Sequence, residues 1–287
     1  MKKRSSNFIT ILLVVLFLVG LSLLLYPTLS DYWNSFHQTQ AIADYTQAVA
    51  DLDDKTYETL WAQAQAYNKK LAKQGTGYAL TEAQKAEYEK MLDVSGLGVM
   101  GYVEIPSIKC SLPIYHGTEE SALQIAVGHI EWSSLPAGGK STHCVLSGHR
   151  GLPSAKLFTN LDQLKEGDTF LLRVLDETLT YKVDQIRIVL PNEMEDLQII
   201  PGKDLCTLVT CTPYGINTHR LLVRGHRIKN QADAQSVRVT ADAMQIEPLL
   251  VAPIVAIVLL LILLLALLLP KRRKRKKHTE PPGGEHG

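Results

Sequence analysis

Hydrophobic positions follow three different patterns along this chain of 287 residues. Residues 8–26 and 249–269 are uncharged apolar runs, each long enough to cross a bilayer as a helix. Residues 31–92 are rich in Ala, Gln, Leu, Lys and Glu, and their apolar positions recur at helical spacing. From Gly98 onward, short β-rich runs alternate with turn residues. The pattern predicts two membrane helices that enclose a helical segment and a β domain.

The helical segment carries one apolar stripe and one helix-start signal. A packing face is the preferred interpretation of the stripe, which consists of Tyr57, Leu60, Trp61, Ala64, Tyr67 and Leu71. Thr81 and Gln84 have the spacing of a capping box, which predicts a short helix that continues to about Leu92.

The β domain is predicted from seven runs at 99–105, 111–115, 143–147, 169–174, 179–189, 204–211 and 220–228. Most of these runs follow one another too closely for a helix between each pair. This spacing favours a closed or nearly closed antiparallel barrel over a doubly wound sheet.

Basic residues flank both apolar runs on their outer sides. Lys2, Lys3 and Arg4 precede the first run, and seven Lys and Arg residues at 271–277 follow the second. The positive-inside rule therefore predicts a two-pass protein with both termini in the cytoplasm and residues 27–248 outside. A cleaved signal peptide is the alternative for the first run, although no clear cleavage site precedes Pro27.

Charge and cysteine content exclude some classes of protein. The net charge of +1 argues against a nucleic-acid-binding protein. It arises by cancellation, because 20 basic and 27 acidic residues remain between the two basic flanks, a formal charge of −7. Four cysteines are too few for a disulfide scaffold, so the β domain must depend on its hydrophobic core.

Cys211 is the first candidate for chemistry, because it ends the apolar run 204–211. Cys206 lies an odd number of residues earlier and should face the opposite side of the strand. If runs 204–211 and 220–228 pair across the intervening loop, Cys211 and Arg220 face each other at the strand ends. A guanidinium there favours a thiolate or stabilises an oxyanion on a substrate carbonyl.

His149 is the candidate base, since it follows the apolar run 143–147 in a turn flanked by glycines. The residue types alone leave structural interpretations open for all three positions. Cys211 would then be a buried structural thiol, Arg220 a solvated strand charge and His149 a polar turn residue.

Several motifs resemble the sortase family, the cysteine transpeptidases of Gram-positive surfaces. Thr207-Leu-Val-Thr-Cys211 matches the family's Thr-Leu-x-Thr-Cys signature, Arg220 has the spacing of its arginine, and His149 occupies its Gly-His position. The segments 98–106, 112–117, 147–153 and 210–225 resemble the pilin-polymerising branch, class C. The likeness is dense over about 97–228.

The resemblance implies a mainly β fold, a closed eight-stranded sortase-type barrel with an N-terminal helical segment and two flanking transmembrane helices. It implies a Cys211 nucleophile, a His149 acid and base, and an Arg220 that stabilises the oxyanion, with Thr210 and Ser147 as predicted substrate-binding residues. No cofactor or metal is expected. The expected partners are pilin or surface-protein substrates with Leu-Pro-x-Thr-Gly-like sorting signals, and membrane lipid.

The implied function is cleavage of that signal between Thr and Gly, followed by transfer to a pilin lysine. One alternative is anchoring of surface proteins to peptidoglycan, and a non-enzymatic alternative is an adhesin or pilin subunit. The predicted division is a cytoplasmic N-terminus (1–7), a span (8–26), a lid-like helical region (27–96), the barrel (97–230), a linker (231–248), a span (249–269) and a disordered tail (270–287).

Two features qualify the resemblance. Class C enzymes usually carry a lid with an Asp-Pro-aromatic triplet, which is missing from residues 28–97, and Tyr78 is the alternative candidate to cover the cleft. Cys110 and Cys144 are compatible with a disulfide, but free thiols are preferred. The remaining histidines of the β domain read as structural or surface residues, namely His116, His129, His143, His219 and His226.

Overall fold

The structure is a computed structural model that describes residues 3–74 and 80–230. The predicted linker, second span and tail, as well as Tyr78, lie outside the described residues. Three helices precede the barrel: α1 (Lys3–Ala50), α2 (Asp54–Gln74) and α3 (Glu82–Tyr88). The first apolar run and the segment that follows it form one continuous helix through Pro27.

Eight strands form a closed barrel in the order β1-β2-β3-β4-β7-β8-β6-β5. Their bounds are β1 Val99–Ile105, β2 Cys110–His116, β3 Val127–His129, β4 Thr142–Gly148, β5 Thr169–Val174, β6 Glu177–Val189, β7 Asp204–Thr212 and β8 His219–Ile228. A short helix, α4 (Glu120–Leu123), connects β2 to β3. The predicted eight-stranded barrel is confirmed.

The barrel is mixed rather than antiparallel, which corrects one expectation. The β2–β3 and β4–β7 pairs are parallel, while the other neighbouring pairs are antiparallel. Parallel neighbours carry their carboxyl ends at the same edge of a sheet. The ends of β4 and β7 therefore meet at one rim of the barrel.

Apolar residues on the two faces of the strands form two clusters. The larger fills the barrel and continues under the helices, where it includes Ala64, Tyr67 and Leu71 of the predicted stripe. Tyr57, Leu60 and Trp61 pack against it. The smaller cluster consists of Val145, Val189, Val209 and Leu222 on the outer face of β4, β6, β7 and β8, together with Leu197 from the connection between β6 and β7.

The capping box that begins α3 is confirmed. The Thr81 side chain accepts a hydrogen bond from the Gln84 amide, and the Gln84 side chain accepts one from the Thr81 amide. The regular helix ends at Tyr88, short of the predicted Leu92, and turns lead on to β1.

Candidate active site

Cys211 and Arg220 are direct partners in the β7–β8 ladder, at the ends of the two strands. Both are half-buried, whereas Cys206 is completely buried among the residues that fill the barrel. Alternation along β7 thus directs Cys206 inward and places Cys211 on the opposite face, with Val209 of the outer cluster. The predicted separation of the two thiols is confirmed.

His149 directly follows β4, the parallel neighbour of β7. Ser147 pairs with Val209, so continuation of this register by two residues places His149 level with Cys211. The Thr210 hydroxyl donates a hydrogen bond of 2.7 Å to the Gly148 carbonyl and ties the two strand ends together. The fold therefore brings Cys211, Arg220 and His149 to one rim of the barrel, from positions up to 71 residues apart in sequence.

The imidazole of His149 faces an acidic residue on α4. Its Nε2 lies 3.5 Å from Glu120 Oε2, and the His149 side chain is 28% exposed. This contact lacks hydrogen-bond geometry, since the Nε2 atom is buried without a hydrogen-bond partner. Gln124 donates to the other carboxylate oxygen of Glu120. The hydrogen bond from Gln124 is the main cause that lowers the pKa of Glu120, and His149 lowers it further.

Arg220 is held by one carbonyl of the loop between β7 and β8 and by the carbonyl of the first residue of β8. Its Nη1 donates to Asn217 O at 3.2 Å and to His219 O at 3.1 Å. Both contacts use the same nitrogen. A guanidinium has further N–H donors, which are suited to an oxyanion or a substrate carbonyl.

Tyr214, which the sequence did not single out, covers the turn after His149. The Arg150 guanidinium carbon lies 6.0 Å from the centre of the Tyr214 ring. A Cβ at Gly151 would come within 2.8 Å of that ring, so the turn needs glycine there. Arg150 also pairs with Asp162. The loops that follow β4 and β7 thus pack against each other beside the rim.

His143 anchors the loop between β6 and β7 at the outer cluster. Its Nδ1 lies 2.8 Å from Gln198 O, and because a carbonyl only accepts, Nδ1 carries the proton. Its Nε2 therefore accepts from Thr207 Oγ1 at 2.7 Å. Burial lowers the pKa of His143 to about 4, which keeps the ring neutral. His143 is a buried structural residue, in agreement with the sequence interpretation.

The two predicted substrate-binding residues have different environments. The Thr210 side chain is buried and its hydroxyl is engaged by Gly148, which gives it a structural partner. Ser147 is half-buried on β4, between Gly128 of β3 and Val209 of β7. Contact with substrate remains a prediction for both.

All four cysteines are free thiols, which agrees with the preference for free thiols at Cys110 and Cys144. The direct neighbour of Cys144 in the β4–β7 ladder is Cys206, and both are buried inside the barrel. Burial raises the pKa of Cys110 to about 12 and that of Cys206 well above its ordinary value. Cys144 is buried inside the barrel as well, so the position of Cys211, and not its pKa, distinguishes it: it is the thiol at the rim, paired with Arg220 and level with His149.

Comparison with known proteins identifies the family. A family model described as "Sortase domain" matches residues 103–228. Sortase C1 from Streptococcus agalactiae is 52% identical, with a TM-score of 0.66 over 67% of this chain and 100% of that chain. A sortase C structure from Streptococcus pneumoniae is 46% identical, with a TM-score of 0.61 over 67% and 98% of the two chains. Sortase A of Streptococcus agalactiae serotype III is 29% identical over 214 residues, 72% of this chain and 79% of that protein.

The chain therefore belongs to the sortase family, and it is a cysteine transpeptidase whose structural neighbours are class C sortases. One described helix is long and apolar enough to cross a membrane, and it lies near the N-terminus.

Proposed function

We propose that this protein cleaves a Leu-Pro-x-Thr-Gly-like sorting signal between Thr and Gly and transfers the acyl group to a pilin lysine. The observation that carries the proposal is the convergence of Cys211, His149 and Arg220 at the common rim of β4, β7 and β8. The class C neighbours, at 46% to 52% identity, support pilin polymerisation.

The first half-reaction forms a thioester. The Cys211 thiolate attacks the threonine carbonyl carbon, and the oxyanion that develops accepts hydrogen bonds from Arg220. Protonated His149 gives its proton to the glycine nitrogen as the carbon–nitrogen bond breaks. The new amino terminus leaves, and the acyl group stays on sulfur.

The second half-reaction consumes the thioester. A lysine amine attacks the same carbonyl carbon, and neutral His149 accepts a proton from the attacking nitrogen. The carbon–sulfur bond then breaks, which restores the Cys211 thiolate and leaves an isopeptide bond. This cycle is balanced without any cofactor.

We further propose that α1 anchors the catalytic domain to the membrane. Its most apolar stretch has a mean hydropathy of 2.5, and no part of that stretch is buried in the protein. Lys2, Lys3 and Arg4 favour a cytoplasmic N-terminus. The barrel then lies on the outer face, where sorting signals are exposed.

The decisive experiment incubates the full chain, in detergent micelles, with a sorting-signal peptide and follows the thioester by mass spectrometry. We expect the acyl-enzyme with the wild type and with Cys110→Ala, a matched removal of another thiol, and none with Cys211→Ala. A thioester that persists in Cys211→Ala would refute the assignment of the nucleophile.

The acceptor is tested by competition. A lysine-bearing pilin domain and a peptidoglycan-precursor amine are supplied together to the acyl-enzyme. We expect the lysine product to dominate. Dominance of the precursor product would favour wall anchoring instead.

A further inference from the structure

Helix α1 presents two different faces just beyond its apolar stretch. Asp31, Asn34 and Gln38 are spaced three and four residues apart and so lie on one face of the helix. Exposed apolar and aromatic residues occupy the opposite face, where they continue directly from the apolar stretch: Tyr26, Leu29, Tyr32, Trp33 and Phe36. The four aromatic side chains of this set are between 55% and 65% exposed.

The polar face is hydrogen-bonded to two segments near His149: the loop that follows it, and the segment that follows α4, the helix whose Glu120 faces the imidazole. Asp31 Oδ1 accepts from the Lys156 amide at 2.7 Å, and Asn34 Nδ2 donates to Ser154 O at 2.8 Å. Both partners belong to the loop that follows His149. Gln38 Nε2 donates to Ile125 O at 2.7 Å, in the segment that follows α4 and its Glu120.

These contacts are unusual for a helix surface because each one joins a side chain to a distant backbone. Their sequence separations are 125, 120 and 87 residues. By contrast, Gln40 on the same helix donates only four residues along, to Asp44 Oδ1. The polar face therefore fixes the two segments around His149 to the helix that leaves the membrane.

The aromatic face has the composition of a membrane interface. Tyr and Trp concentrate where the hydrocarbon core meets the headgroups, because their rings are apolar and their tips are polar. Asp31 is five residues beyond Tyr26, about 7 Å along the helix axis. The headgroup layer on each side of a bilayer is roughly 5–8 Å thick, which about five residues of a helix cross, so a layer that begins after Thr28 contains residues 29–33 but not Phe36.

We propose that residues 29–38 of α1 are an interfacial bracket: the part of the aromatic face from Leu29 to Trp33 rests in the phospholipid headgroup layer, Phe36 stands just above it, and the polar face holds the His149 loop beside it. This inference rests on the proposed function, since it concerns the site where the sorting signal reacts. Asp31, Asn34 and Gln38 are then positioning residues. The bracket sets the height of the catalytic rim above the membrane, where a substrate that is itself membrane-anchored exposes its signal.

The membrane half of the proposal is tested with the full chain in vesicles of phosphatidylcholine and phosphatidylglycerol. Trp61→Phe and Trp132→Phe leave Trp33 as the single tryptophan. We expect lipids brominated near the headgroup to quench Trp33 fluorescence more strongly than lipids brominated at mid-chain. Quenching by water-soluble iodide alone, or strongest quenching at mid-chain, would overturn the interfacial placement.

The positioning half is tested with three identical amide-to-carboxylate changes. Asn34→Asp and Gln38→Glu each remove a donor to the barrel, and Gln40→Glu is the matched control. We expect kcat to fall about fivefold in each of the first two, as for loss of one ordinary hydrogen bond, with KM unchanged and the control near wild type. Thermal unfolding of the same samples confirms that the variants are folded.

Equal kcat in all three variants would overturn the positioning role. If the wild type forms no thioester, the proposed function fails instead. The fluorescence measurement does not depend on turnover, so the two failures are distinguishable.

Discussion

The three N-terminal helices and the catalytic rim are held in position by different kinds of hydrogen bond. Each of the three N-terminal helices has one buried polar side chain that meets the barrel backbone or its histidine: Tyr45 on α1, Asn68 on α2 and Tyr88 on α3. At the rim, by contrast, the backbone ladders β4–β7 and β7–β8 set the positions of the reactive side chains.

Each of these three buried side chains both donates and accepts a hydrogen bond. The Tyr45 hydroxyl donates to Met100 O and accepts from the Leu175 amide. The Asn68 amide group donates to Leu135 O and accepts from the Leu135 amide. The loss of one such side chain leaves several buried groups without partners, whereas a ladder has many equivalent bonds. This comparison predicts stability effects at the helices and catalytic effects at the rim.

The largest expected effect is at the rim. Arg220→Lys keeps the charge but loses the planar donor fork, so we expect kcat to fall by roughly 10²–10³, as for loss of an oxyanion donor. Steady-state turnover of a sorting-signal peptide measures it. Arg224→Lys is the control on the same strand, where the arginine pairs with Asp184, and about twofold is expected there. Equal losses in the two variants would mean that the rim position of Arg220 has no special role.

His143 predicts a pH-dependent stability at the beginning of β4, the end of the strand that lies away from the rim. Its pKa is about 4 in the folded state against an ordinary value of 6.5, so the unfolded chain binds protons more readily. The stabilisation is present above about pH 6.5 and is lost as the pH falls toward 4, by about 3 kcal/mol in total. Denaturant unfolding at the two pH values measures it.

The matched variants for that measurement are His143→Gln and His226→Gln. The first should reduce the acid loss of unfolding free energy, while the second, on the more exposed β8 histidine, should leave it intact. An unchanged acid loss in His143→Gln would assign the effect to other groups.

Tyr88→Phe tests the buried contacts of the helices. It removes the hydroxyl that accepts from the Gly117 amide and contacts His129 Nδ1 at 2.8 Å. Because these groups are then buried without partners, we expect a loss of about 1–3 kcal/mol of unfolding free energy, with turnover largely retained. Thermal unfolding measures it.

Tyr57→Phe is its control, since that hydroxyl makes only a long contact of 3.4 Å with Glu177. We expect this control to change stability by less than about 0.5 kcal/mol. Equal destabilisation in the two variants would contradict the distinction between buried and surface contacts of the helices.

The smallest expected effect is at Glu120. The contact with His149 is long and Glu120 is exposed, so Glu120→Gln should lower kcat/KM by no more than about fivefold. Glu119→Gln is the neighbouring control, because Glu119 pairs with Lys85 instead. A loss much larger than fivefold in Glu120→Gln alone would make this carboxylate an essential partner of the histidine.

The pattern of apolar runs and turn residues in the sequence predicted most of the strands but not all of their pairings. Strand β3 has only three residues, Val127–His129, which is too short to produce a periodic signal. The parallel pairs were missed because alternation along a strand is the same whichever direction its neighbour runs. Glu120 and Tyr214 were missed because single polar or aromatic residues in loops carry no periodicity.

The sequence by itself determined seven of the eight strands to within two residues at each end, the opposite faces of Cys206 and Cys211, the capping box at Thr81 and the family to which the chain belongs. These features depend on neighbouring residues and on local backbone periodicity. Only the tertiary structure decided that His149 comes level with Cys211, that Cys144 neighbours Cys206, and that α1 holds the His149 loop. These contacts join residues tens to more than a hundred positions apart, and their geometry is set by barrel closure, which no local pattern encodes.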